Sequence, residues 1–512
     1  MLSAVFTFHL INSAILTGLV SMFVLWRYRV AVLSGMRRGD QSQLPLPDLQ
    51  PFSNKPRDQG SKTLLAWERR RQLEIALAYL VATLCCALVL ASAQYIRDLT
   101  LWPSQIFMLA LVYSFACAPM IATSLALRPM KVLTGLALLT ALLTGMAVGG
   151  LLFERVLRGL PVYGRATGQA QIFLGLVSSQ MWLVALFWLT AWPRKLRGVA
   201  PITFAALVLF SLGPLLGSRR LQGTPSMGLN GMFVLMSLPS GGLAWAGVRR
   251  IARAYERKRF SDAQLLSRTY WLMLVTNVWL QMATNTRHPW FVVEASVAAF
   301  LLLAPTSAFF LSSMGKATIK PPARNLLLLR VFGYTRRTER LFDRIAARWR
   351  LFGPVTMIVA PDVAARTIDP ADYLRWLTER TDEFFVTSRA DLTARLLALD
   401  MAPDPDGRYR VNEFCCRDNT WQATVVELIQ RADAVVMDVR GVTRSRHGCE
   451  FELEQLSQRL PLRRLVLVAD ATTDRGVLET AFGPQLSEVQ LIEAHRWSKG
   501  GAILTALLEA AA

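Results

Sequence analysis

The sequence predicts an α-helical polytopic membrane bundle of about nine spans over residues 1–315, followed by a soluble α/β domain with a parallel sheet over 316–512. Three observations carry that prediction: a hydrophobic content of 53%, its concentration in long apolar runs before Lys320, and the uneven distribution of charge. The 512 residues hold 57 Lys+Arg against 36 Asp+Glu, a net +21. From Lys320 onward the two signs nearly balance, 27 against 26, so the earlier part holds 30 against 10. A basic excess of this size often marks nucleic acid or an anionic membrane surface. Because it coincides with the apolar runs, the membrane is the expected partner and nucleic acid is not.

About 20 apolar residues cross a hydrocarbon core of roughly 30 Å as a helix, the only unpaired segment whose backbone satisfies itself in lipid. Such runs occur at Leu2–Trp26, Leu73–Ile96, Gln105–Leu127, Val132–Phe153, Gln171–Trp192, Val199–Leu216, Gly228–Val248, Tyr270–Thr286 and Trp290–Met314. The sixth contains Pro201 and Pro214, and the eighth is short. Alternate loops between these spans carry 22 and 7 basic residues. Cytoplasmic loops retain Lys and Arg, so the amino terminus is expected outside and the carboxy-terminal segment in the cytoplasm of a multi-pass cell-membrane protein. The first run lacks a basic n-region and reads as a span rather than a signal peptide. Glu74 and Glu294 are expected at interfaces, and no span holds an obvious transport site. Gly39–Lys62, polar with four prolines, reads as a mobile cytoplasmic linker. Arg249–Arg259 reads as a juxtamembrane segment facing anionic headgroups.

Past Pro321-Pro322 the pattern changes to short β-branched or leucine runs alternating with amphipathic stretches. Strands are expected at Leu326–Phe332, Pro354–Ala360, Ala434–Val439, Leu465–Ala469 and Val489–Glu493. Helices are expected at Glu339–Arg350, Pro370–Arg380, Ala390–Asp400, Thr420–Arg431, Cys449–Leu460, Arg475–Phe482 and Gly501–Ala511, with a turn over Ala402–Gly407. This alternation predicts a parallel sheet covered on both faces. In such sheets ligands bind beyond the carboxyl ends of the strands, where helix amino termini present free amides.

Two loops sit at those ends. The first runs from Gly333 through Arg336 and Arg337; the second is Arg440-Gly441-Val442-Thr443-Arg444-Ser445-Arg446-His447-Gly448. The second suits a phosphate or a dinucleotide, and it reads equally as an ordinary arginine-bearing surface loop. Neither a Walker A sequence nor GxGxxG accompanies it. The candidate ligand-binding residues are therefore Gly333, Arg336, Arg440, Arg444, Arg446 and His447.

The segment ADAVVMDVRGVTRSRHGCEFEL, ending at Leu453, resembles TIR-type domains, five-stranded flavodoxin-like modules with a WCxxEL-like sequence opening a helix after a strand and a serine-containing loop. LLLLRVFGY is weakly similar to that family's first strand and loop. The likeness covers Leu326 to Ala469. Cys449 falls on the cysteine and Glu452 on the glutamate that is catalytic in the NADase members. Gly448 replaces the tryptophan, Ser445 is displaced by one position, and Pro361–Glu413 is longer than the corresponding connection.

The resemblance implies a nucleotide-binding cytoplasmic domain that cleaves NAD as substrate, without a bound cofactor, in a defence or stress response, and that assembles as a homo-oligomer. An oxocarbenium-like transition state is stabilised by a nearby carboxylate, a role for Glu452 with Asp438 as the second. The alternative is that Glu450, Glu452 and Glu454 form a solvated acidic helix start favoured by the helix dipole. At the level of the whole chain, a non-enzymatic receptor or scaffold and a transporter with a regulatory tail are the other readings. Metal sites are not expected: Cys415-Cys416 lacks a partner pair, His9, His288, His447 and His495 form no ligand motif, and Asp400, Asp404 and Asp406 fit a turn better than a calcium loop.

Overall fold

A computed structural model describes residues 2–36, 43–48, 60–98, 103–114, 199–200, 202–207, 229–283, 289–315, 320–330, 336–359, 385–444, 447–494 and 500–511, with scattered positions between 117 and 156. The chain divides into two compact units, one built mainly from Met1–Leu25 and Gln72–Lys316, the other from Trp26–Arg71, Ala317–Thr367 and Arg375–Ala512.

The first unit is helical. It draws on α1 (Leu2–Met36), α2 (Ser61–Asp98), α3 (Pro103–Ser114), α4 (Leu229–Glu256), α5 (Asp262–Ala283) and α6 (Pro289–Gly315). Three stretches, Ile15–Met36, Ser61–Ala93 and Glu294–Met314, are long and apolar enough to cross a membrane. Large apolar side chains such as Leu19, Met22, Phe23, Leu301 and Phe309 are exposed along α1 and α6, as lipid-facing residues are. This marks the chain as membrane-associated.

The nine spans expected from hydropathy are not supported: the described residues provide three. The expected seventh and eighth spans fall largely on α4 and α5, whose side chains are described only in part. The fifth span lies outside the described residues, and so do nearly all of the fourth and parts of the third and sixth. A capping box joins α4 to α5: Ser261 N–H donates to Gln264 Oε1 at 3.0 Å and Gln264 N–H to Ser261 Oγ at 3.3 Å.

The second unit is a seven-stranded, all-parallel sheet in the order β3-β4-β2-β1-β5-β6-β7. The strands are β1 (Leu326–Arg330), β2 (Val355–Val359), β3 (Phe385–Val386), β4 (Val411–Cys416), β5 (Ala434–Asp438), β6 (Leu465–Ala469) and β7 (Gln490–Glu493). The helices are α7 (Arg336–Trp349), α8 (Arg389–Leu397), α9 (Trp421–Arg431), α10 (His447–Arg459), α11 (Arg475–Phe482) and α12 (Gly500–Ala510). The expected helix at 370–380 lies outside the described residues.

Strand side chains alternate between the faces. Leu327, Leu329, Val435, Met437, Leu465 and Leu467 pack under α8, α9, α10 and α11. Leu326, Leu328, Ala434, Val436, Val466 and Val468 pack under α7 and α12. Both faces are covered, which is why these strands read as continuous apolar runs.

The strands β2-β1-β5-β6-β7 have the 2-1-3-4-5 order of flavodoxin-like sheets. Sequence reading missed β3 and β4, which extend the sheet beyond β2 and account for the long connection before Ala434. Val411-Asn412-Glu413 opens β4 half-exposed with polar residues, so no apolar run announces that strand.

The linker also departs from expectation. Trp26–Arg71 belongs to the second unit, and its described parts make specific contacts within it. Gly35 at the end of α1 meets the Phe385 ring so closely that a Cβ there would lie 2.4 Å from it. Gln43–Asp48 runs against α9 and α10. The first turns of α2 enter the α7–α12 layer, where Leu64 joins the core and Trp67 stacks at 5.6 Å on Phe352. The helix therefore begins twelve residues before the apolar run starting at Leu73.

Candidate functional site at the carboxyl ends of β1 and β5

The chain leaves β1 toward β2 on one side, and β5 leads toward β6 on the other. The crevice beyond these two adjacent strands is the switch point at which doubly wound sheets bind ligands. Register places Arg330 opposite Asp438 at the last paired position. Both are buried.

Asp438 is fully engaged. Arg440 donates Nε to Oδ1 and Nη2 to Oδ2, each at 2.7 Å, and its backbone N–H donates to Oδ1 at 3.2 Å. This hydrogen-bonded contact raises the guanidinium pKa. The pair braces the start of the loop. Gly441 follows at φ +73, left-handed backbone that glycine adopts without a Cβ penalty. The loop is then tied to the β6–α11 connection by Thr473 Oγ1 to Val439 O at 3.2 Å and Asp474 N–H to Val442 O at 3.2 Å. Arg444 is exposed and reaches Gly476 at the start of α11, where a Cβ would meet its Nη2 at 3.2 Å.

Helix α10 brings Glu452 over the same crevice. Cys449, Glu452, Leu453, Gln455 and Leu456 are buried on its inner side, and Trp421 of α9 meets Phe451 edge-on at 5.4 Å. Glu452 is 4% exposed, and its Oε2 has no hydrogen-bond partner. Burial pushes its carboxyl up to about 8, with the Arg330 charge acting in the opposite sense. The solvated acidic helix start therefore does not describe Glu452, because the 3.6-residue period turns position 452 inward. Glu454 is exposed and Glu450 half-exposed.

Of the residues expected from the sequence, the structure brings Asp438, Arg440 and Glu452 to one end of the sheet, with Arg444 at its rim. His447 is 90% exposed and contacts Glu450 at 3.3 Å. Arg336 opens α7. Gly333 and Arg446 lie outside the described residues. Sequence reading missed Arg330, although its signal is legible: a lone cation closes the run Leu326–Leu329.

Among the described residues no group of three or more His, Cys, Asp or Glu is placed to hold a metal ion. Cys415 and Cys416 are buried in β4, and burial pushes the Cys416 thiol up to about 12. Asp404 pairs with Arg410 at 2.9 Å, while Asp406 accepts the Arg408 N–H at 3.1 Å within a turn closed by Gly407 at φ +85. This chain matches no protein-family model, no curated protein and no solved structure.

Proposed function

We propose that this chain is a multi-pass membrane protein whose cytoplasmic TIR-like α/β unit binds a nucleotide at the β1–β5 crevice and cleaves NAD. The observation that carries the reading is Glu452: a buried carboxyl with an unpartnered oxygen, at the switch point of a doubly wound parallel sheet, beside a buried arginine.

In that reaction the C1′–N1 bond breaks and its electron pair passes to the nicotinamide nitrogen, discharging the pyridinium. Water adds to C1′ and releases a proton, giving ADP-ribose and nicotinamide. Positive charge develops on the ribose as the bond opens, and a carboxylate held in a dry site stabilises it far more than one in water. Burial favours the protonated form of the Glu452 carboxyl. A cationic nicotinamide ring favours its ionised form, so the charge is created where it is used. Arg444 at the rim supplies the cation for the diphosphate, while Arg440 holds Asp438 and the loop in place. Arg27–Arg71, which adjoins the α/β unit, holds ten Lys and Arg, and this supports a cytoplasmic placement of that unit with the amino terminus outside. Self-association of the chain brings these units together.

The test is nicotinamide release from NAD by the full-length protein in lipid nanodiscs, over a range of protein densities. Glu452→Gln is expected to lower the rate at least about 100-fold. Equal rates in parent and variant would refute the catalytic assignment.

A further inference from the structure

Between α1 and α2 the hexapeptide Gln43-Leu44-Pro45-Leu46-Pro47-Asp48 lies along the second unit without secondary structure of its own. Pro45 and Pro47 fix their own φ and push Leu44 and Leu46 toward extended backbone. The segment thus loses little freedom on docking.

Its contacts run the length of α9. Leu44 N–H donates to Asn419 O at 3.1 Å just ahead of the helix, and the Leu44 side chain packs on the core beneath it. Gln430, in the last turn of α9, donates Nε2 to Asp48 O at 2.9 Å. Arg459, which ends α10, donates Nη1 to Pro47 O at 2.9 Å, and Pro47 is buried. Four extended residues reach about 13 Å, close to the roughly 16 Å of an eleven-residue helix.

Three hydrogen bonds and a partly buried leucine make a weak ligand. Covalent attachment makes weak docking effective, because a tethered segment meets its groove at high local concentration.

Arg459 connects this groove to the candidate site. Its Nε donates to Gln455 Oε1 at 2.6 Å. Gln455 is buried on the same side of α10 as Glu452, one turn further along. We propose that Gln43–Asp48 is a tethered peptide ligand of the α9–α10 groove, whose docking holds α10 and Glu452 in place and whose release loosens that helix. The coupling concerns the helix and applies to any ligand of the site.

Cys449 reports on it, being a cysteine outside any disulfide with no exposed surface on the inner side of α10. Cys415 and Cys416, buried in β4, are controls in the same molecule. Full-length protein in nanodiscs is treated with N-ethylmaleimide and modification of each cysteine is followed by peptide mass spectrometry. Leu44→Asp and Arg459→Ala are each expected to speed Cys449 modification about tenfold by making α10 open locally, with Cys415 and Cys416 unchanged. Excess synthetic Gln43–Asp48 peptide is expected to restore protection in Leu44→Asp. An unchanged Cys449 rate in both variants overturns the proposal. Equal acceleration at all three cysteines also overturns it, since that reports general loosening, and so does a peptide without effect. No step uses NAD, so the result is separate from the test of cleavage.

Discussion

Arg348 on α7 grips Glu68 on α2 with both ends of its guanidinium, Nε to Oε1 at 2.6 Å and Nη2 to Oε2, and the Glu68 side chain has no exposed surface. The pair fastens the first turns of α2 into the layer that covers one face of the sheet. Removing one partner of a buried pair leaves the other charge without compensation and costs about 3–5 kcal/mol. Glu68→Ala should therefore destabilise the α/β unit by that order, read as faster proteolysis within 320–512 of the full-length protein. Glu68→Ala with Arg348→Met should recover much of the loss, because both charges are then gone.

The raised carboxyl of Glu452 gives stability a definite pH dependence. Between the ordinary carboxyl value and about 8 the folded state holds a proton that the unfolded chain has released. Stability is then fully present at low pH and falls as pH rises through the folded value. Glu452→Gln removes that loss. The variant should unfold at higher denaturant than the parent at pH 9, with the gap closing toward pH 5. Parallel pH profiles for the two proteins would contradict the buried carboxyl.

Asp438 and Arg440 should behave as a unit. Asp438→Ala leaves a half-buried guanidinium without its counter-charge and should cost more stability than Asp438→Ala with Arg440→Met. A double-mutant cycle on thermal unfolding measures the coupling. A coupling near zero would mean that the two-point contact does not brace the loop.

The double coverage of the sheet has its own test. Leu328, buried in β1 under α7 and α12, should cost about 2–5 kcal/mol as alanine because a cavity remains. Leu397 at the end of α8 is 80% exposed, and its alanine variant should change stability by less than about 0.5 kcal/mol. Denaturant midpoints of the two variants in the full-length chain separate these outcomes.

Sequence periodicity was a reliable guide where burial is symmetric. The runs Leu326–Leu329, Ala434–Met437 and Leu465–Val468 are apolar at every position because both their faces are covered, and each was legible as a strand. Val411–Cys416 was not, because its first half meets solvent and its residues follow no apolar run. Arg330 and Glu452 were harder still, since a charged residue's burial depends on neighbours far away in the chain.

By itself the sequence determined the membrane-compatible runs, the change at Pro321-Pro322, the parallel α/β alternation and the basic loop ahead of Glu452. Those follow from local apolar length, period and charge, which nearby residues set. Only the tertiary structure decided that β3 and β4 lie beyond β2, that Arg330 pairs in register with Asp438, that Glu452 is buried, and that Trp26–Arg71 belongs with the α/β unit. Each of these depends on pairings between residues far apart in the chain, such as Glu68 with Arg348 and Pro47 with Arg459. Such pairings form when apolar faces find cover and buried charges find partners, and a linear pattern does not encode which distant segment provides them.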